Sequence, residues 1–288
     1  MPAPEILRFT AFSTSPEGGN PAGVVLGADA LSVDEMQRIA ADVDYAETAF
    51  VTGADPDGAL RIRYFSPIAE VPFCGHATVA TAVALVERES TALVAGPESV
   101  IRFRTPVGEV PIRVDRDADG ARAAFTSIPP TVDALPADAL DAILALLGLE
   151  PHDLDPSLPP RIAHAGNPHP ILAIESRARF DGFTFDPDAA RTIMDARGWP
   201  ATITVVHRRT SDRFVARNIF PVGRITEDPA TGSAAAALGG YLWHLGAVAA
   251  PARVVIEQGA HVGRPGVLTV DIPVAGGIVV SGHAVPIG

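Results

Sequence analysis

The strongest constraint on this chain is that it makes the same statement twice. Glu227-Asp228-Pro229-Ala230-Thr231-Gly232-Ser233-Ala234 ends a polar turn and opens an Ala-rich apolar run that reaches Leu245. Glu70-Val71-Pro72-Phe73-Cys74-Gly75-His76-Ala77 aligns with it without a gap and leads into the apolar run Thr78 to Val86. Cys74 falls on Thr231, Gly75 on Gly232 and His76 on Ser233. Two upstream matches keep the order. Arg63-Tyr64-Phe65-Ser66-Pro67 resembles Arg217-Asn218-Ile219-Phe220-Pro221, and Asn20-Pro21-Ala22-Gly23-Val24 echoes Asn167-Pro168-His169-Pro170-Ile171. Three ordered matches, about 150 residues apart, point to an internal duplication. The product is two similar domains, because a solenoid needs several short repeats.

Each copy ends where a helix begins. Thr231, Gly232 and Ser233 sit where the first backbone N–H groups have no partner within the helix. Those groups and the positive end of the helix dipole make an anion site. Glu227 and Asp228 lie beside it. The plain alternative is an N-cap followed by a core helix. Two such helix starts facing across a cleft would hold one acidic substrate.

Composition narrows the functions. A chain of 288 residues, 47% hydrophobic and 19% charged, suits two globular domains with ample core. A net charge of −12 argues against nucleic acid or an anionic membrane surface as partner, since both require a basic face. A small anionic substrate needs only local donors. Cys74 is the only cysteine, which excludes an intramolecular disulfide and any mechanism with two thiols. There is no lysine, so Schiff-base chemistry and a Walker lysine are closed. The start of the chain lacks a basic, then apolar, leader pattern, and the expected location is the cytoplasm. The run 232–250 approaches bilayer length, but Gly239-Gly240 and His244 favour a buried helix.

The periodicities predict strands at 6–12, 23–26, 47–51 and 60–65, and a run of short strands from 100 to 127. Ser32-Val33-Asp34-Glu35 is a capping box for a helix with Met36, Ile39, Ala40 and Val43 on one face. Helices are expected at 75–86, 135–149, 188–197 and 232–245, with Gly148 and Gly198 as stops. The stretch 151–160 reads as a hinge or inter-domain loop. Strands recur at 171–174, 203–207, 214–220, 254–257, 267–272 and 278–281. Hairpin-like runs that outnumber helices indicate α+β with largely antiparallel sheets. No Gly-x-Gly-x-x-Gly is present, so a dinucleotide domain is not expected. The expected domains are residues 1–128, completed by a last strand at about 277–288, and residues 129–276.

Few residues suit chemistry. Glu47, in Tyr45-Ala46-Glu47-Thr48-Ala49-Phe50, is a carboxylate among small and apolar neighbours. Burial would make it a proton carrier, and an edge glutamate in water is the alternative. His76 lies in the first turn of its helix, where the dipole favours neutral imidazole, and it serves either there or as a packed or capping residue. Asp228 would face the same cleft and could form a proton relay with His76. Cys74 could act as nucleophile or base with a lowered pKa, but buried structural cysteine is the favoured reading. The eight histidines show no convincing metal spacing, and there is no Gly-x-Ser-x-Gly elbow.

Glu47-Thr48-Ala49-Phe50, Pro72-Phe73-Cys74-Gly75-His76-Ala77-Thr78, Glu227 to Ala234, and Gln258-Gly259 with Arg264 together resemble the PhzF-like family of phenazine-biosynthesis-type isomerases. Asn20-Pro21-Ala22 fits as well. The resemblance runs through nearly the whole chain. It implies the diaminopimelate epimerase fold: two pseudo-symmetric domains, each a curled sheet around a central helix, with the site between them. It implies acid–base catalysis by Glu47, assisted by His76 and Asp228. Gly75, Thr231, Gly232 and Ser233 would bind the substrate carboxylate. It further implies no cofactor, no metal and a homodimer. Related epimerases and racemases use two cysteines, where this chain has Cys74 and Thr231. The loop Pro16-Glu17-Gly18-Gly19 departs from the pattern in lacking a phenylalanine before Gly19. The expected activity is a proton and double-bond shift in a small carboxylate-bearing substrate. The alternatives are an amino-acid racemase or epimerase of the same fold and a non-catalytic anion-binding protein.

Overall fold

The computed structural model describes residues 4–88, 99–221 and 225–288. The chain forms two units: Met1–Thr126 with Ser281–Gly288, and Ser127–Val280. Each places an Ala-rich helix inside a curled sheet.

In unit 1 the strands are β1 (Ile6–Ala11), β2 (Asn20–Leu26), β3 (Glu47–Ala54), β4 (Leu60–Phe65), β5 (Glu70–Val71), β6 (Ser99–Thr105), β7 (Gly108–Asp117) and β8 (Gly120–Thr126). The last strand, β17 (Val279–Pro286), pairs with β1 and with β8. The pairings β1–β2–β3–β4–β6–β7–β8–β17–β1 therefore close a ring. Helix α1 (Val33–Val43) packs Met36 and Ala40 against Val25, Phe50 and Phe65 on one face of this sheet. Its Ser32/Glu35 capping box forms as the sequence indicates. Helix α2 (Gly75–Glu87) touches β1, β2, β3, β7 and β8 and is buried from His76 to Val86. A helix enclosed by strands has no polar face, and small side chains let the strands approach it.

Unit 2 repeats the order. Its strands are β9 (Thr131–Ala134), β10 (Arg161–His164), β11 (Pro168–Ala173), β12 (Ile203–Arg208), β13 (Arg213–Ile219), β14 (Glu227–Asp228), β15 (Ala252–Gln258) and β16 (Gly266–Ile272). Antiparallel pairing predominates in both units. The exceptions recur at matching places: β2–β3 and β4–β6 are parallel in unit 1, β11–β12 and β13–β15 in unit 2. The central helix is α6 (Gly232–His244), against β9, β10, β11 and β16. Gly239 and Gly240 let it lie close. A Cβ on Gly239 would stand 2.8 Å from Val270 Cγ1, and one on Gly240 2.4 Å from Pro130 Cβ. Helices α3 (Ala137–Leu147), α4 (Arg177–Gly182) and α5 (Pro187–Arg197) cover the sheet through Ile143, Leu147, Phe180 and Met194. Gly148 and Gly198 end their helices in the left-handed region, as expected.

One expectation needs correction. The 151–160 stretch is no hinge: it lies within unit 2, with Leu158 buried and Asp153 paired to Arg179 at 2.8 Å. Strands β9 and β10 and helix α4 carry too few residues to show a period. The loop before Gly19 is held from within, because Gly19 has φ +62° and a Cβ there would stand 2.2 Å from the Ala11 carbonyl oxygen.

Candidate active site

Glu47 opens β3 and lies opposite Ala22 of the parallel neighbour β2. Cys74 is the N-cap of α2, in extended backbone, and its own side chain makes no capping hydrogen bond. The helix then carries His76 in its first turn. These elements bring three groups together. Glu47 Oε2 lies 3.4 Å from Cys74 Sγ and 3.4 Å from His76 Nε2. Asn20 Nδ2 lies 3.2 Å from His76 Nδ1, and Nε2 is the ring nitrogen that faces Glu47. Burial holds the His76 pKa down to about 4, against a weaker opposing hydrogen bond to the Pro21 backbone. The imidazole is therefore neutral near pH 7, with burial as the cause where the sequence argument had relied on the helix dipole. Beside this cluster Tyr64, Phe73 and Phe125 meet edge to face. The Tyr64 hydroxyl and Thr78 Oγ1 lie 2.6 Å apart, and Thr78 Oγ1 donates to the Cys74 carbonyl.

Cys74 is thus buried, as the favoured reading had it, but it also shares hydrogen-bonding distance with both acid–base candidates. Glu47, Cys74 and His76 are ligand types that zinc accepts, and their atoms lie within 4.8 Å of one another. Their orientation does not fit a shared ion. Cys74 Sγ sits 3.3 Å from Nδ1 and 3.8 Å from Nε2, off the line of either lone pair. An ion about 2.0 Å out along a nitrogen lone pair would stand well beyond the roughly 2.3 Å a zinc–sulfur bond needs.

Unit 2 holds Asp228, Thr231, Gly232 and Ser233. Asp228 Oδ2 accepts from Thr231 Oγ1 at 2.6 Å. Gln258 braces the pair: its Nε2 donates to the Asp228 carbonyl at 2.7 Å and to Thr231 Oγ1 at 3.0 Å. Gln258 Oε1 accepts the Thr231 N–H at 3.2 Å. The Thr231 N–H, expected to be open to an anion, is therefore already engaged, and the open donors begin one residue later. Gly259 holds Gln258 in place, since a Cβ at this φ +86° residue would stand 2.5 Å from the Pro229 carbonyl oxygen. Glu227 is not part of the anion site. It forms a buried pair with Arg217, whose guanidinium stacks 3.6 Å from the Phe183 ring centroid. Glu70 makes the matching pair with Arg63. The glutamates that begin both repeats are strand clasps.

Sequence reasoning missed Asn20 and His169 as site neighbours. His169 Nε2 lies 3.1 Å from Ser233 Oγ. The signal was present in the repeat that aligns Asn20 with Asn167, but strand register was needed to read it.

The profile of the phenazine biosynthesis-like protein family (PhzC-PhzF) matches residues 9–288. The uncharacterized isomerase YfhB of Bacillus subtilis is 31% identical over 281 residues, 96% of this chain and 93% of that one. The trans-2,3-dihydro-3-hydroxyanthranilate isomerase of Pseudomonas chlororaphis is 30% identical over 259 residues, 90% of this chain and 86% of that one. A crystal structure of the PhzF-family phenazine biosynthesis protein of Bacillus anthracis superposes with a TM-score of 0.85, at 27% identity, covering 99% of this chain and 98% of that one. The repeated sheet-and-helix units and these matches along the whole chain agree: the protein belongs to the phenazine biosynthesis-like (PhzC-PhzF) family.

Proposed function

We propose that the chain is an isomerase that moves a proton, and with it a double bond, within a small unsaturated carboxylate-bearing substrate. The observation that carries this reading is the convergence of Glu47 with Cys74 and a neutral His76 at the start of α2. The named isomerase relatives agree with it. The Glu47 carboxylate takes a proton from an sp³ carbon. The C–H electron pair enters the conjugated system, and the protonated Glu47 returns the proton to another carbon of that system. Atoms and charge balance without an oxidant, a cofactor or a metal. Neutral His76 holds Glu47 by a donated N–H and takes no net charge. Open N–H groups at the helix start stabilise the developing carboxylate-conjugated anion, a contribution typically worth about 2.7–4 kcal/mol for one well-placed donor. Gly75 supports this placement. A Cβ there would meet Phe125 only at an ordinary 3.6 Å, so internal packing does not require glycine. A ligand lying against the backbone would.

Asp228, braced by Thr231 and Gln258, is proposed as a second polar contact for the substrate, and the backbone N–H groups of Gly232 and Ser233 as carboxylate donors. The test is proton NMR in deuterated water with trans-2,3-dihydro-3-hydroxyanthranilate and related unsaturated amino acids. Enzyme-dependent deuterium uptake or double-bond movement, lost in Glu47→Gln, supports the isomerase. Undiminished turnover by Glu47→Gln sinks it. The racemase reading keeps one observation in its favour, the Cys74 thiol 3.4 Å from Glu47. It requires exchange at a stereocentre that disappears in Cys74→Ser.

A further inference from the structure

Unit 2 contains a buried hydrogen-bond chain that the isomerase reading leaves without a task. His169 on β11 is fully buried. Its Nδ1 lies 2.9 Å from Thr202 Oγ1 and 3.2 Å from the Thr202 carbonyl oxygen, and its Nε2 lies 3.1 Å from Ser233 Oγ. Thr202 Oγ1 and Thr204 Oγ1 both donate to Asn218 Oδ1, each at 2.7 Å. Thr202 Oγ1 also lies 3.3 Å from Thr204 Oγ1, and the Thr202 carbonyl oxygen beside Nδ1 can only accept, so we place the Thr202 hydroxyl hydrogen on Asn218 Oδ1. Both oxygens facing Nδ1 are then acceptors, and Nδ1 carries the ring proton. Nε2 is left as an acceptor and takes the Ser233 hydroxyl hydrogen. Burial, the main cause, keeps this imidazole neutral with a pKa down to about 4. Read this way, the chain runs in one direction from Ser233 through His169 toward Thr202.

The consequence falls on Ser233, half-buried in the first turn of α6. Its only hydroxyl hydrogen points inward to His169, so its oxygen offers outward lone pairs alone. The neighbouring backbone N–H groups offer donors alone. A bare carboxylate satisfies the donors and sets its own lone pairs against Ser233 Oγ. An acid with an N–H or O–H group close to its carboxylate satisfies both. We infer that His169 is a positioning residue that fixes Ser233 as a hydrogen-bond acceptor, and that the unit 2 helix start selects amino or hydroxy acids over simple acids. The inference rests on the proposed site only in taking a carboxylate to bind there.

The test compares benzoate with anthranilate, two acids of one shape that differ by an ortho amino group, by calorimetric titration of the intact protein. Wild type is expected to bind anthranilate about tenfold more tightly, the worth of one good hydrogen bond. Ser233→Ala and His169→Phe should bring that ratio to about one and leave benzoate affinity within about threefold of wild type. His169→Gln, whose amide can accept from Ser233, should restore part of the preference. A purely structural His169 would instead weaken both ligands together. Nitrogen-15 NMR should show His169 protonated at Nδ1 and bare at Nε2 at pH 7. A protonated Nε2, a preference that survives Ser233→Ala, or a wild type that fails to favour anthranilate, including one that binds neither acid, overturns the inference. None of these readouts involves turnover. A protein that exchanges deuterium through Glu47 but shows no such ratio refutes this inference alone.

Discussion

Glu70 and Glu227 occupy the same place in their units and grip an arginine by the same two bonds. Their surroundings differ. The Arg63 and Glu70 side chains are 31% and 35% exposed, whereas Arg217 and Glu227 are 7% and 9% exposed. Water screens the first pair, and its loss should cost under about 1 kcal/mol. Glu227→Gln leaves the Arg217 charge buried beside Phe183 with the backbone carbonyls of Phe180 and Phe183, and should cost roughly 3–5 kcal/mol. Urea midpoints of Glu70→Gln and Glu227→Gln check the contrast; equal losses would contradict it. At Glu47 the expected effect is on rate. Glu47→Gln keeps the shape of the side chain and removes its capacity to carry a proton, and turnover should fall about 10²–10⁴-fold. Cys74→Ser should cost far less under the isomerase reading, since the thiol adjoins the proton carrier and is not the carrier. Measuring kcat for both variants decides between them.

Helices α2 and α6 show how an element can be defined by what it lacks. In neither does the N-cap side chain bond to the helix, most of each is buried, and each is enclosed by strands. Gly239 is the sharpest case, because its missing Cβ makes room for Val270 and Ile278. Gly239→Ala improves helix propensity by about 1 kcal/mol and loses it again to overpacking of about 1–3 kcal/mol. A lowered melting temperature is expected, and a raised one would show that the sheet gives way. Elements with local signatures were readable in advance: the Ser32/Glu35 box and the Gly148 and Gly198 stops. Strand β10, four residues long, carries no such mark, and helix α4, six residues long, has only the Ser176 N-cap. The parallel pairings were equally hidden, because strand partners are chosen by the sheet and not by neighbours in sequence. That is why Cys74 and His76 could be paired on sight, whereas Glu47 opposite Ala22 and His169 beside Thr202 could not.

Across the whole chain, the duplication has divided its labour. Register and repeat together match Glu47 with Thr202, His76 with Ser233 and Cys74 with Thr231, so the titratable version of each position lies in unit 1 and the hydroxyl version in unit 2. The buried imidazoles, one in each unit, give the protein a common pH response. His76 and His169 are both held near pKa 4 by burial, against 6.5 when exposed. Between those values the unfolded chain binds more protons than the native one. Stability is therefore full above about pH 6.5 and declines as pH falls toward 4, by up to roughly 3 kcal/mol for each histidine. Urea melts at pH 7.5 and pH 5 should show the decline, and His169→Gln should make it shallower. A protein more stable at pH 5 than at pH 7.5 would contradict both burial assignments.

No lysine and a single cysteine leave few side chains for covalent labels, and the one thiol lies against Glu47 and His76. Alkylation of the native protein therefore adds one mass increment per chain at that address and nowhere else on sulfhydryl chemistry. Its rate, followed by intact-mass spectrometry, becomes a gauge of occupancy. A ligand resting against α2 slows the labelling, and the fraction that resists counts how many molecules in a preparation hold it.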